Sequence, residues 1–490
     1  NADGFDDVVF GASRAQPNGS FSGEAYVVFG TDQGFPAQLT PPDLNGENGF
    51  VIEGETAFAY TGSSVSGAGD FNGDGIDDVL IGARGSWIFN QDQTLGRSYV
   101  VFGRDAGVPA TLPLAELDSS TGLRMIARGE NDFLGYSVSA AGDFNGDGIS
   151  DVLAGAPFRG YFDGYWGRAF MVFGASTGLP AELPLQNLDG ANGLMLDGGS
   201  SGGYYTYAGN SVSSAGDLNG DGLDDVIIGA RRADDYYGGE SYVVFGDDTD
   251  MPEALSLRGL DGTRGFRITS ISDYDEAGGS VSGAGDINGD GFDDVLIGAD
   301  RAEQDLEKQG EVYVIYGTDQ GFAAIVDPAA LDGNAGFVVR GAEEGDAAGT
   351  SVQAAGDVNG DGMADIIIGA VGSGPDDRGQ AFVVFGRADT DGDGVQDTAD
   401  NCSELANSGQ RDSNGDGFGN LCDADLNGDC AINFSDLAVM KAAFFSNDKD
   451  ADLDGNGTVS FVDLALLKAT FFGPPGPSGL PTACNARDRE

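Results

Sequence analysis

Five stretches of the chain repeat one arrangement of oxygen-bearing side chains, with aspartate at the first position, asparagine at the third, aspartate at the fifth and aspartate again at the ninth. They are Asp70, Asn72, Asp74 and Asp78; Asp143, Asn145, Asp147 and Asp151; Asp217, Asn219, Asp221 and Asp225; Asp286, Asn288, Asp290 and Asp294; and Asp357, Asn359, Asp361 and Asp365. The seventh position would add a backbone carbonyl, from Ile76, Ile149, Leu223, Phe292 and Met363 in turn. Such a set can converge on one hard cation, with glycine at the sixth position permitting the sharp turn. Three carboxylates on one short loop repel one another when empty, so calcium is the expected ligand. The plainer reading is an Asx-rich hairpin turn without metal, but a turn does not need an aspartate at its ninth position every time. A sixth, partial copy opens the chain with Asn1, Asp3, Phe5 and Asp7 at the third, fifth, seventh and ninth positions.

The rest of the composition agrees with cation chemistry. Eighty acidic residues stand against 24 basic ones, a formal charge of -56, and there is no histidine. The charge sets nucleic acid and anionic membrane surfaces aside as partners, and no apolar run approaches spanning length, so no membrane insertion is expected. Lack of histidine removes the commonest general base and the commonest zinc ligand, leaving oxygen donors. The expectation is therefore no enzyme, and no catalytic residue is assigned. All four cysteines, Cys402, Cys422, Cys430 and Cys484, lie in the last fifth of the 490 residues. An even, clustered set points to disulfides and an oxidising, extracellular or cell-surface location, in an exported protein whose leader is not in the sequence.

The loops must be held by repeating elements. Their first aspartates recur about every 70 residues, and each period carries four short apolar runs, such as "SSVSGAG", "DDVLIGA", "RSYVVFG" and "GLRMIARG". β-branched and aromatic runs bounded by glycine read as strands, four to a period, with the aspartate loop joining the first to the second. The fold class is mainly β, a six- or seven-bladed β-propeller over residues 1–387. The phrase "GDFNGDGIDDVLIGA" and its copies resemble the FG-GAP repeat of the integrin α-subunit propeller, although the "FG" half reads "TG", "LG" or "AG" here. That resemblance implies four-stranded antiparallel blades with calcium in the first hairpin.

Residues 388–424 change character. Asp389, Asp391, Asp393, Asp397 and Asp400 with the carbonyl of Val395, then Asp412, Asn414, Asp416 and Asp423 with that of Phe418, follow EF-hand spacing. Bracketed by Cys402 and Cys422, these loops resemble a thrombospondin type 3 repeat, which implies that calcium and a disulfide replace a hydrophobic core.

Residues 425–490 repeat internally. Asp425, Asn427, Asp429, Asn433 and Asp436 with the carbonyl of Ala431, and Asp452, Asp454, Asn456, Ser460 and Asp463 with that of Thr458, form two further loops. Each precedes a helical pattern, Leu437, Met440 and Phe444 on one face and Leu464, Leu467 and Phe471 on the other. The pair resembles a type I dockerin, which implies a cohesin-like partner. Cys430 stands where that family has glycine, and Phe434 and Phe461 lie near the positions expected to read a partner. Cys430 with Cys484 would clasp the module, and "GPPGPSGLP" reads as a stiff linker or clasp strand.

The function expected is calcium-dependent adhesion or assembly through protein–protein contacts, self-association included. The alternative is a calcium-dependent carbohydrate-binding propeller or polysaccharide-active enzyme, with glycans meeting the aromatic loops "YFDGYW", "YYTY" and "DDYY". Residues 1–57 supply the second, third and fourth strands of a blade, and the last blade stops after its third. One strand is thus expected to be missing at each end of the ring, to be filled by an absent N-terminal segment or by another chain.

Overall fold

The computed structural model describes residues 1–86, 95–105, 107–127, 132–158, 166–199, 206–233, 237–249, 251–304, 307–374, 378–388, 397, 400–403, 405–407, 409–478 and 480. Six antiparallel sheets follow one another along the chain, built from the apolar runs of the repeat. The third is representative. Its strands Val138–Gly142, Asp151–Ala156, Arg168–Val172 and Gly193–Asp197 pair in chain order, with Val152 opposite Val172 and Leu194 opposite Met171. Inner strands of consecutive sheets stand side by side, so the sheets are arrayed face to face as blades are.

Why the strands read as continuous apolar runs is visible in where their residues go. Val152 and Ala154 belong to the cluster between the second and third sheets, while Leu153 belongs to the cluster between the third and fourth. A strand alternates its side chains between two faces, and here both faces are buried. Each fully buried Val, Leu or Ile contributes on the order of 2 kcal/mol, so the array is held by its inter-sheet clusters rather than by one central core.

Each of the first four sheets gains a short parallel strand on its outer edge from the following repeat, Thr111–Pro113, Glu182–Pro184, Ala254–Ser256 and Ile325–Val326 in turn, a fourth strand in the first sheet and a fifth in the other three. A turn of 3₁₀ helix follows each of them, and Leu114, Leu185, Leu257 and Leu117 are buried beneath neighbouring strands. The four-strand expectation missed this link, which ties the outer edge of each of the first four sheets to the next repeat.

The two end sheets differ from the rest. The first has Val8–Ala12, Glu24–Val28 and Gly49–Glu53 but no inner strand, and the sixth has Ala348–Gly356, Asp365–Ala370 and Gln380–Val384 but no fourth strand among the described residues. Phe5, Val8 and Phe10 at one end are exposed, as are Ile367, Phe382, Val383 and Phe385 at the other. The strands present at the two ends, three in each sheet from its own repeat, are those expected from sequence.

Beyond the sheets lies a small helical unit. Helices α1 (Phe434–Ala443) and α2 (Phe461–Ala469) enclose a cluster of Ile432, Met440, Leu453, Val459 and Leu467, with Leu437, Phe444, Leu464 and Phe471 packed against it. These are the helix faces expected from spacing. No helix among the described residues is long and apolar enough to cross a membrane.

Candidate metal centres

In the sheet array each loop folds around its own carboxylates. The first aspartate of the fourth sheet's loop, Asp217, accepts from the amides of Gly220 (2.8 Å), Asp221 (3.1 Å) and Gly222 (2.9 Å). Asn219 Oδ1 accepts from Asp221 and Asp221 Oδ1 from Leu223, so the side chains at positions one, three and five face inward. The loops beginning at Asp70, Asp143, Asp286 and Asp357 repeat the position-six contact to the first aspartate, at 2.8 to 2.9 Å. A sixth-position glycine with φ between 84° and 93° makes this possible in all five.

The ninth aspartate is held from outside the loop. Asp225 Oδ2 accepts from Leu218 N–H at 3.0 Å, and its Oδ1 accepts from Gly246 N–H, beyond the third strand, at 2.9 Å. Asp78, Asp151, Asp294 and Asp365 are placed identically, bonded to Gly103, Gly174, Gly317 and Gly386. All five are almost fully buried. Burial pushes the carboxyl of Asp78 up to about 7 and those of Asp151 and Asp225 to about 8, with carboxylates of the same loop adding to the rise. That is the electrostatic condition a divalent cation relieves.

Two loops in the helical unit draw their carboxylates closer. One oxygen each of Asp425, Asp429 and Asp436, and one each of Asp452, Asp454 and Asp463, lie within 4.8 Å of one another. Among the described residues no loop of the sheet array forms so tight a triad. The donor chemistry fits a hard cation in both settings, because Asp143 Oδ1 and Asp452 Oδ1 are buried acceptors with no hydrogen bond. Asn433 and Ser460 serve as helix N-caps, and Asp436 and Asp463 complete capping boxes from the third helical position. Cys430 adopts φ 68°, and its amide donates to Asp425 Oδ2 as glycine does elsewhere.

The opening fragment holds its side chains much as the later loops do. Asp7 Oδ1 accepts from Gly30 N–H at 2.8 Å, the contact Asp78 makes with Gly103, while Asn1 Nδ2 donates to Asp3 at 2.9 Å. Hydrogen bonds from Phe5 N–H and Asn1 hold the Asp3 carboxyl below its ordinary value. Phe5 itself is exposed.

Between array and helices, Cys402 and Cys422 form a disulfide with Cα atoms 5.7 Å apart. The loop from Asp412 repeats the inward pattern, with Asp412 accepting from Gly415 and Gly417, Asn414 from Asp416, and Asp416 from Phe418. Burial pushes Asp423 up to about 7. Asp400 is buried and accepts from Cys402 N–H, and the Asp397 amide donates to Ala388. Asp389, Asp391, Asp393 and Val395 lie outside the described residues, as does Cys484. Cys430 is disulfide-bonded. The proline-rich segment runs back over the disulfide loop, where Ser478 Oγ donates to Gly417 O at 2.7 Å.

Of the aromatic loops, residues 161–165, 204–205 and 234–236 lie outside the described residues. Tyr207 packs edge-on against Phe158, and Arg232 lies over both Tyr207 and Tyr237. Arg231 and Arg301 pair with the buried Glu276 close by. This cationic group was not foreseen, because its members come from different repeats.

A face-to-face array of four-stranded sheets with Asp-rich loops between first and second strands defines a repeat protein of propeller type. Models of known families agree: the FG-GAP repeat matches residues 61–101, 134–168, 208–244, 277–315 and 348–384, and the Dockerin type I domain matches residues 423–471. Similar proteins include integrin alpha pat-2 of Caenorhabditis elegans, 32% identical over 253 residues, and integrin alpha-4 of Xenopus laevis, 31% over 242. Integrin alpha-V of Gallus gallus is 28% identical over 250 residues. These alignments cover about half of this chain, which spans only about a fifth of the length of those relatives.

Proposed function

We propose that the chain is a calcium-binding extracellular or cell-surface protein that works through protein contacts. Its FG-GAP array forms a calcium-rigidified propeller, residues 388–424 form a thrombospondin type 3-like calcium repeat, and residues 425–490 form a dockerin-like docking module. The end sheets of the array accept a further strand, from a segment upstream of Asn1 or from another chain, and in the second case the array assembles head to tail.

One observation carries this reading. At four consecutive sheet junctions, an alanine of the inner strand and the apolar second residue of the loop are almost fully buried: Ala68 with Phe71, Ala141 with Phe144, Ala215 with Leu218, and Ala284 with Ile287. At the junction of the first and second sheets the equivalent space is a cavity of about 570 Å³, lined by Asp7, Phe29, Phe50, Ile76, Val79 and Phe102 among others. An incoming strand of the repeat type would fill it, pair with Val8–Ala12 and supply the first loop aspartate that Asn1, Asp3 and Asp7 lack.

The helical unit supports a second contact surface. Phe434, Phe445, Phe461 and Phe472 are each more than two-thirds exposed and fall in two clusters related by the internal repeat. A cohesin-like partner with an apolar patch suits them.

Sedimentation velocity in calcium tests the assembly. The expected result is concentration-dependent association, reversed by a peptide of sequence SSVSGAGDFNG that occupies the acceptor cavity. A chain that stays monomeric at about 100 μM, far above the micromolar range of ordinary weak interfaces, and ignores the peptide would overturn it. Glycan-array binding lost on chelation, by a monomer, would favour the carbohydrate reading, for which the Tyr207, Arg232 and Tyr237 group is the candidate surface.

A further inference from the structure

The first four of the five aspartate loops of the array are each stitched to the next sheet by two backbone hydrogen bonds. The amide of the eighth loop residue donates to the carbonyl of the preceding loop's first aspartate: Ser150 to Asp70 (3.3 Å), Asp224 to Asp143 (3.3 Å), Asp293 to Asp217 (3.2 Å) and Ala364 to Asp286 (3.0 Å). The second bond joins Ala175 to Phe71, Asp247 to Phe144, Thr318 to Leu218 and Arg387 to Ile287, at 2.9 to 3.0 Å. This frame is common to four junctions, but the eighth side chain is not.

At two junctions that side chain is a carboxylate reaching back to the preceding loop. Asp224 Oδ2 accepts from Asp143 N–H at 2.8 Å, and Asp293 Oδ2 accepts from Asp217 N–H at 3.0 Å. The approach needs glycine just before the loop: a Cβ on Gly142 or Gly216 would lie 2.1 or 2.0 Å from the carboxylate oxygen, and both have φ near 65°. At the flanking junctions the eighth residue is Ser150 or Ala364, with no carboxylate to offer.

We propose that loops 143–151, 217–225 and 286–294 fill with calcium as one coupled unit, with Asp224 and Asp293 as the positioning residues that transmit occupancy. Loops 70–78 and 357–365 fill independently. The inference rests on the reading that these loops hold calcium. An ion in loop 217–225 draws on the carbonyl of Leu223 and the carboxylate of Asp225, and so fixes Asp224 between them. A fixed Asp224 orders the backbone of Asp143, whose own carboxylate heads the neighbouring loop. The ordering cost of the second site is then partly met by the first, which is positive coupling, and it is reciprocal. Asp293 repeats the relation one junction on.

Calorimetric calcium titration of the full chain, with ions counted by native mass spectrometry, tests this. Removing ligands from the middle loop with N219A/D221A should abolish its own ion and weaken two others about tenfold, within the usual range of coupling between sites. In a D224S/D293S background the same lesion should cost one ion and leave the rest unchanged. D224N/D293N, which keeps an acceptor oxygen on each amide, should restore the coupling, and its folding is checked by its far-ultraviolet spectrum. If N219A/D221A removes one ion and leaves the other affinities unchanged, coupling is refuted while calcium binding stands. A wild-type chain in which the array binds no calcium would instead refute the underlying reading.

Discussion

The loops of the sheet array and those of the helical unit start alike and end differently. In both, the first aspartate collects amides from the turn, as Asp217 does from Gly222 and Asp452 from Gly457, each near 3 Å. In the array the closing carboxylate opens a strand and is fastened by the next strand's end, as Asp225 is by Gly246 N–H. Burial pushes that group up to about 8. In the helical unit the closing carboxylate is the third residue of a helix. At Asp463 hydrogen bonds from Asp454, the Ser460 amide and the Ser460 hydroxyl outweigh the burial penalty and hold the carboxyl below its ordinary value, whereas at Asp436 burial wins and the carboxyl is raised. One loop is completed by tertiary contact and the other by its own helix cap. The first is backed by large inter-sheet clusters and the second by a single small one.

That difference should be plainest on removal of calcium. On the calcium reading proposed above, the array keeps its clusters without ions, whereas a unit with so little core would depend on them. In excess chelator the helical circular-dichroism signal, which among the described residues comes from α1 and α2, should disappear. The sheet transition should survive, lowered by roughly ten degrees. A helical signal indifferent to chelator would break the contrast.

Core truncation probes the same asymmetry. Leu467 is fully buried in the small cluster. Leu467→Ala should cost about 3 kcal/mol and lower only the helical unit's transition in calorimetry. Movement of the sheet transition as well would mean that the two regions unfold together.

The pH response has a definite sign. Asp78, Asp151 and Asp225 bind protons more tightly folded than unfolded, since their carboxyls lie at about 7 to 8 against an unfolded value near 4. Their contribution to stability without calcium is complete below about pH 4 and is lost as pH rises to about 8. In chelator, raising the pH from about 5 to 8 should therefore lower the sheet transition by roughly five degrees, and added calcium should reverse the fall. A transition that climbs over that range would contradict the buried-carboxylate account. The smallest effect belongs to the cap: Ser460→Ala at saturating calcium should cost about 1 kcal/mol in the helical unit, read from its denaturation midpoint.

Much of this was legible in the sequence because it is local. The Asp-x-Asn-x-Asp-Gly phrase specifies its own turn, since the side chains at positions one, three and five accept from amides within the phrase. The apolar run in "DDVIIGA" gave a strand, which the structure buries on both faces, and the spacing of Leu464, Leu467 and Phe471 gave the packed face of α2. The short parallel strands were less legible, although "TLPL", "ELPL" and "ALSL" recur in register with the repeat. Three residues carry too little pattern, and their partners lie some 60 residues back along the chain, as with Glu182 opposite Arg124.

By itself, then, the sequence determined the loop chemistry, the strand and helix periods, and the strand inventory at the two ends. Only the tertiary structure decided that Asp224 and Asp293 carry a carboxylate to a backbone amide across a junction where Ser150 and Ala364 have none to offer, and that one junction holds a cavity where four hold an alanine and an apolar loop residue. The physical reason is the same in each case. Identical loops become different once each is placed against its neighbour, and which side chain meets which neighbour depends on how sheets about 70 residues apart in sequence stack in space.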